Sequence, residues 1–260
     1  MSLAHHTFLL KELVKRDFQG RYAGSLLSFF WSFAQPLWLL ALYTFVFSTV
    51  MSLRIDLYDV GTSSFGIFLF CGLLPWTAIH EGILRSTTAI TDNSELVKKL
   101  RFPSEVLVLS IVVGALLHQA IAAGVFVVVL LAVGELSWGS LPWLLVAVPL
   151  QVALTLGLGL VLASAHVFFR DTVQVLGMVL IGWFFLTPIV YPLGMVPERL
   201  APWIEANPLT SLVNLYRTAF LGRELDPGPG DLGFVLSSVG LLGAGLWLFR
   251  RLKPAFVDEI

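Results

Sequence analysis

The chain has 260 residues, of which 57% are hydrophobic and only 13% charged, and its mean hydropathy is +0.86. A water-soluble domain carries roughly 25% charged residues, so this composition cannot coat a soluble surface of such a size. The net charge of −1 gives no basic field to hold a nucleic acid, and the single cysteine, Cys71, excludes an intrachain disulfide framework and a cysteine-cluster metal site. A polytopic all-α membrane protein remains.

The first predicted element is amphipathic, over HTFLLKELVKRDFQGRY. Leu9, Leu10, Leu13, Val14 and Phe18 fall near one face, with Lys11, Glu12, Lys15, Arg16 and Gln19 on the other. Such a helix lies in the membrane interface, as a plain anchor or as a receiver of force from a cytoplasmic partner.

Six apolar stretches of bilayer length follow: Ser32–Met51, Phe65–Leu84, Val106–Val133, Leu141–Phe168, Val173–Tyr191 and Leu232–Phe249. They are predicted as helices, because an open sheet leaves backbone groups unpaired in hydrocarbon and a barrel needs period-two alternation. No cleavable signal peptide is read. With a cytoplasmic N-terminus, 12 of the 16 Lys and Arg residues fall on the inside and 4 outside. That bias places both termini in the cytoplasm.

Between the second and third stretches, Asp92, Asn93 or Ser94 can cap a short helix running through Lys99, and Pro103 stops it. Its charges, with Leu96, Leu100 and Phe102, suit docking; a solvated loop is the alternative. The turn Phe169-Arg170-Asp171 reads as a snorkelling charge pair. After the fifth stretch, a short helix is expected near Glu198–Glu205. Asn207-Pro208 then opens a second helix, with Leu209, Leu212, Leu215, Tyr216, Ala219 and Phe220 at helical spacing and Gly222 ending it. Both are too short to span and suit a dip into the outer leaflet or the capping of a cavity; an ordinary surface loop is the alternative. DPGPGD reads as a turn linker back into the membrane.

Candidate chemistry is sparse. No GxxxxGK[ST], HExxH or GxSxG motif occurs, and the five histidines, His5, His6, His80, His118 and His166, are not spaced as ligands. No metal site is expected. His118 is mid-span, where an ionisable residue is a functional candidate, with a neutral histidine bonded to a neighbouring helix as the alternative. No carboxylate chain or repeated half suggests a secondary transporter. Trp138 and Trp143 fit an outer interfacial belt, and Trp31 and Trp247 an inner one. Trp38, Tyr43, Trp76, Trp183, Phe184 and Phe185 lie deeper. As a group they suit a passage for sugar rings; individually each also suits packing or lipid contact.

The stretch RYAGSLLSFFWSFAQPLWLLALYTFVFSTV (Arg21–Val50) resembles the start of permease subunits of ABC exporters for bacterial surface polysaccharides, the O-antigen and teichoic-acid type of the ABC type 2 permease family. FLFCGLLPWTAI (Phe68–Ile79), ELVKKLRFPSEVLVLS (Glu95–Ser110), FFRD (Phe168–Asp171), TPIVYP (Thr187–Pro192) and ANPLTSLVNLYR (Ala206–Arg217) resemble later family landmarks in order. The resemblance implies half a transporter of the bacterial inner membrane, without enzymatic activity. Two copies form a channel for lipid-linked polysaccharide, and two copies of a cytoplasmic ABC ATPase bind the ATP and Mg.

It further implies ATPase coupling through Lys11, Lys15, Arg16, Glu95, Lys98, Lys99, Arg101 and Phe102. The channel would carry Trp31, Trp38, Tyr43, Trp76, Trp183, Phe184 and Tyr191, and the outer gate Pro188, Pro192, Asn207, Pro208, Tyr216 and Arg217. One integral domain then divides into an interface helix (1–30), transmembrane helices one to five (32–191), outer gate helices and linker (192–231), transmembrane helix six (232–249) and a cytoplasmic tail (250–260). O-antigen is the foremost cargo, with teichoic acid or capsule next. A permease for a small lipid or drug, or a membrane enzyme or scaffold, is the alternative.

Overall fold

The computed structural model describes residues 3–21, 30–50, 62, 64–99, 103–223 and 228–260. They are mainly helical, with no strand among them. In chain order the helices are α1 (Leu3–Arg21), α2 (Trp31–Tyr43), α3 (Phe65–Thr88), α4 (Ser94–Lys99), α5 (Glu105–Val133), α6 (Leu144–Phe168), α7 (Thr172–Leu186), α8 (Ala201–Glu205), α9 (Pro208–Leu221), α10 (Pro229–Leu252) and α11 (Phe256–Glu259).

Among the described residues, four segments are long and apolar enough to cross a membrane: Phe65–Thr88, Glu105–Val133, Trp138–Phe168 and Gly230–Glu259. These match the second, third, fourth and sixth stretches of the sequence. The other two stretches are shorter as α-helices. After Tyr43, α2 continues as a π-helical segment, Thr44–Val50. Helix α7 has 15 residues and stops at Leu186 rather than Tyr191. The reason is Pro188: a residue before proline is pushed out of the α region, and Thr187 is extended at φ −103° and ψ 134°. The last helix begins at Pro229, inside the expected linker, with the Gly228 N–H donating to the Asp231 carboxylate at 3.0 Å.

Helix α3 is the hub. Its apolar residues are buried on every side, as expected of a helix that is hydrophobic all round and surrounded by others. It packs against α5, α6, α7 and α9. By contrast α7 keeps Val175, Met178, Val179, Ile181 and Phe185 exposed. Two buried clusters divide the molecule. The larger joins α3, α5, α6 and α9 through residues such as Phe68, Phe126, Leu154 and Phe220. The second, at the opposite end of the bundle, gathers Ile90, Val97, Val108, Val167, Phe249 and Phe256, with Leu9 and Leu13 of α1 against it. That end therefore collects α1, α4 and the C-terminal tail, and Lys253 donates to Glu105 there at 2.9 Å.

Helices α6 and α10 cross closely. A Cβ on Gly157 would lie 2.5 Å from the carbonyl carbon of Leu241, and one on Gly245 2.5 Å from the Gly157 carbonyl oxygen. Small residues are what allow helices to approach in a bilayer, where apolar lipid removes the hydrophobic drive between them. Gly157→Val should lower the thermal unfolding midpoint of the purified protein, by an overpacking cost of at least about 1–3 kcal/mol. Gly240→Ala on the same helix, where a Cβ meets nothing within 4 Å, should leave the midpoint in place.

Candidate functional site

Two groups of polar side chains are built into this apolar frame. The first lies on the connection after α7. Once Pro188 breaks that helix, its last carbonyls lack helical donors. Asn207 supplies one replacement. Its Nδ2 donates to the Thr187 hydroxyl at 2.9 Å and the Leu186 carbonyl at 3.2 Å. Its Oδ1 accepts from the Trp183 indole at 2.9 Å and from the Leu209 N–H at 3.1 Å, which caps α9. Pro208 stands at the first helical position, where its missing N–H costs nothing. The helix ends at Gly222, whose φ of 72° needs glycine.

Arg217 holds the chain just past the break. It is 2% exposed, and its Nη2 donates to the Pro188 carbonyl at 2.8 Å and the Ile189 carbonyl at 3.3 Å. Its guanidinium lies 3.8 Å from the centre of the Phe68 ring. The positive charge is thus held by carbonyl dipoles and an aromatic face. Tyr216 beside it is 1% exposed and bonds to Gln119 and Gln151. Tyr191 turns back to donate to the Phe185 carbonyl at 2.9 Å, and Pro192 leads into a short 3-10 turn, Leu193–Met195.

The second group lies at the other end, around α1 and α4. Lys11, Lys15 and Arg16 are exposed on α1, and Glu95 and Lys98 on α4. Arg16 donates to the Asn93 side chain at 3.0 Å, immediately before α4. Asn93 also donates to the Ala89 carbonyl, so its side chain ties the loop down on both sides. Arg85 of α3 donates to Asp17 of α1 and, at 3.1 Å, to Glu81 one turn back. A cavity of about 230 Å³ opens between these elements, lined by Arg16, Asp17, Arg85 and Asn93. Lys99 belongs to α4, while Arg101 and Phe102 lie outside the described residues.

The aromatic residues separate into distinct environments. Trp31 and Trp38 are half to two-thirds exposed on α2. Trp76 is buried against Phe184, and Trp183 serves α9 through Asn207. Tyr43 packs beside Phe47. His118, the mid-span histidine of the sequence, has its Nδ1 4.0 Å from the Glu81 carboxylate. Sequence reading missed Glu81, Arg85 and Asp17 as a set. They are far apart in the chain, although the helical period between Glu81 and Arg85 was a local signal. No group of three His, Cys, Asp or Glu placed to hold a metal occurs among the described residues.

Residues 9–221 match the family profile described as "ABC-2 type transporter". The chain belongs to that family. It is similar to O-antigen export system permease proteins RfbA. One from Myxococcus xanthus is 32% identical over 254 residues, covering 97% of this chain and 95% of the relative. One from Klebsiella pneumoniae is 31% identical, covering 96% and 94%. The polysialic acid transport protein KpsM of Escherichia coli is 25% identical, covering 96% and 95%. The family match spans both polar groups, from α1 to the end of α9.

Asn207→Ala removes four hydrogen bonds at once, including the cap of α9. It should cost about 1–2 kcal/mol, the size of a strong cap. Trp183→Phe removes one of the four and should lower the unfolding midpoint less in the same thermal scan.

Proposed function

We propose that this permease is the channel-forming subunit of an ATP-driven exporter that moves lipid-linked polysaccharide outward across the bacterial inner membrane, with O-antigen the foremost cargo and teichoic acid or capsule next. The observation that carries this reading is similarity over nearly the whole chain to relatives named for O-antigen export. Two copies of the chain enclose the passage, and each engages one cytoplasmic ABC ATPase that holds ATP and Mg. The chain itself performs no hydrolysis. It spans six times: α2 with its π-helical extension and α7 serve as the first and fifth spans beside the four long ones. Both termini are cytoplasmic, which puts α1, α4 and the C-terminal tail on the ATPase side.

In this reading Lys11, Lys15 and Arg16 on α1, and Glu95, Lys98, Lys99, Arg101 and Phe102 around α4, meet the ATPase. ATP-driven approach of the ATPases pushes α1 and α4 and changes the packing of the spans. Trp31, Trp38, Tyr43, Trp76, Trp183, Phe184 and Tyr191 offer flat faces to the C–H faces of sugars, which slide along them. Helices α8 and α9, with Pro188, Pro192, Asn207, Pro208, Tyr216 and Arg217, close the outer exit.

The test is copurification of the tagged chain from mild detergent. An ABC ATPase in equal amount, with glycolipid in the same fraction, is the expected result; ATP hydrolysis by the chain alone contradicts the assignment. Reversing Lys98, Lys99 and Arg101 to Glu should cut export at least about tenfold, the loss of one interfacial charge pair, while the protein still inserts. Normal export from that variant removes the loop from the docking surface.

A further inference from the structure

Polar side chains lie at intervals through the bundle between the ATPase-side charges of α1 and the outer helix α9. Starting at α1, Asp17 accepts from Arg85, and Arg85 donates to Glu81 of the same helix. Glu81 faces His118 of α5. The next residue, Gln119, lines the same cavity of about 240 Å³ as Glu81 and His118. From Gln119 a closed ring begins. Gln119 Nε2 donates to the Tyr216 hydroxyl at 2.6 Å, the hydroxyl donates to Gln151 Oε1 at 2.6 Å, and Gln151 Nε2 donates to Gln119 Oε1 at 2.7 Å. The three residues are 6%, 1% and 1% exposed for Gln119, Gln151 and Tyr216. They sit on α5, α6 and α9. Beyond Tyr216, Arg217 holds the break at Pro188 and Ile189.

We propose that the Gln119–Gln151–Tyr216 ring is the joint through which movement of α1 and α3 reaches the outer helix α9. The physical reason is the solvent. A ring broken in hydrocarbon cannot exchange its partners for water, so it is either closed or re-formed with new partners. A polar joint of that kind has discrete arrangements, which coupling between distant sites needs. Apolar packing alone would hold α9 equally well, yet six polar functions converge here from three helices. Gln119, Gln151 and Tyr216 are positioning residues: they touch each other, and they act on the exit through α9.

This inference rests on α9 being the outer gate. Its test uses the permease copurified with its ATPase and reconstituted in proteoliposomes, carrying Asn214→Cys as a reporter on α9. The native Cys71 is buried, so an impermeant thiol reagent reads position 214. Two variants are compared, Tyr216→Phe and Gln151→Met. The first keeps the ring's two amides paired with each other and so preserves the fold. ATP should change the labelling rate in the reporter background. Both variants should reduce that change, and the export per ATP hydrolysed, by about threefold, the weight of one interhelical hydrogen bond in a membrane. Adding Asp17→Asn to Tyr216→Phe should lower export per ATP no further than the worse single change, since both cut one route. An ATP-dependent labelling change of equal size in background and variants overturns the joint and leaves the gate standing. Absence of any ATP-dependent change in the background overturns the gate, and the joint with it.

Discussion

Hydrocarbon supplies no hydrogen-bond partners, and that deficit organises this molecule. A broken helix in water passes its free carbonyls to solvent; here the break at Pro188 must be repaired from within. Asn207 and Arg217 do so from the two ends of α9, one with a cap that serves both helices and the other with a guanidinium on two carbonyls. The position of α9 is therefore dictated by α7's unsatisfied groups as much as by its own apolar stripe. Leu212 and Phe220 then bury it against the hub helix α3 and its neighbours. An arginine is costly to bury without a counter-charge, and the Phe68 face with two carbonyls offsets part of that cost.

The same constraint explains the division of labour between the ends. The α6–α10 crossing has glycine on both sides and leaves no room for adjustment. It ties the last span rigidly to the centre. The second cluster, in contrast, is assembled from small pieces: α1, α4, the end of α10 and the tail around Phe256. Charged bonds such as Arg16 to Asn93 and Arg85 to Asp17 fasten these pieces at their margins. Such bonds exchange with water more readily than those in the bilayer, so this end can move without loss of the fold.

Much of the architecture was legible in the sequence because it is local. The apolar stretches located the four long spans, and Asn207, Pro208 and Gly222 marked the start and end of α9 within a residue. Leu9 and Leu13 on α1, read from the sequence as part of a membrane-interface face, pack against a buried cluster. What could not be read is what arises between helices. Hydropathy does not fix helix rotation, so nothing along the chain said that Gln119, Gln151 and Tyr216 would share a ring, or that Glu81 would face His118. Gln151 is a single polar residue in an apolar run, Gln119 follows His118 in another, and Tyr216 counts with the apolar stripe of α9. The shortened α7 was readable in principle from Thr187-Pro188, but the apolar run through Tyr191 masked it. The start of α10 at Pro229 was similarly hidden by glycine and proline, which serve both turns and helix N-termini.

The proposed function requires ATP-driven outward movement of a lipid-linked glycan by this chain with a partner ATPase. Inside-out membrane vesicles measure it directly. ATP is added outside, and glycolipid sequestered in the lumen is read as the fraction protected from an added glycosidase. Protection that grows with ATP, and disappears when the permease is absent or the ATPase is inactivated, is the predicted result. Protection that is independent of ATP, or that persists without this chain, contradicts the account.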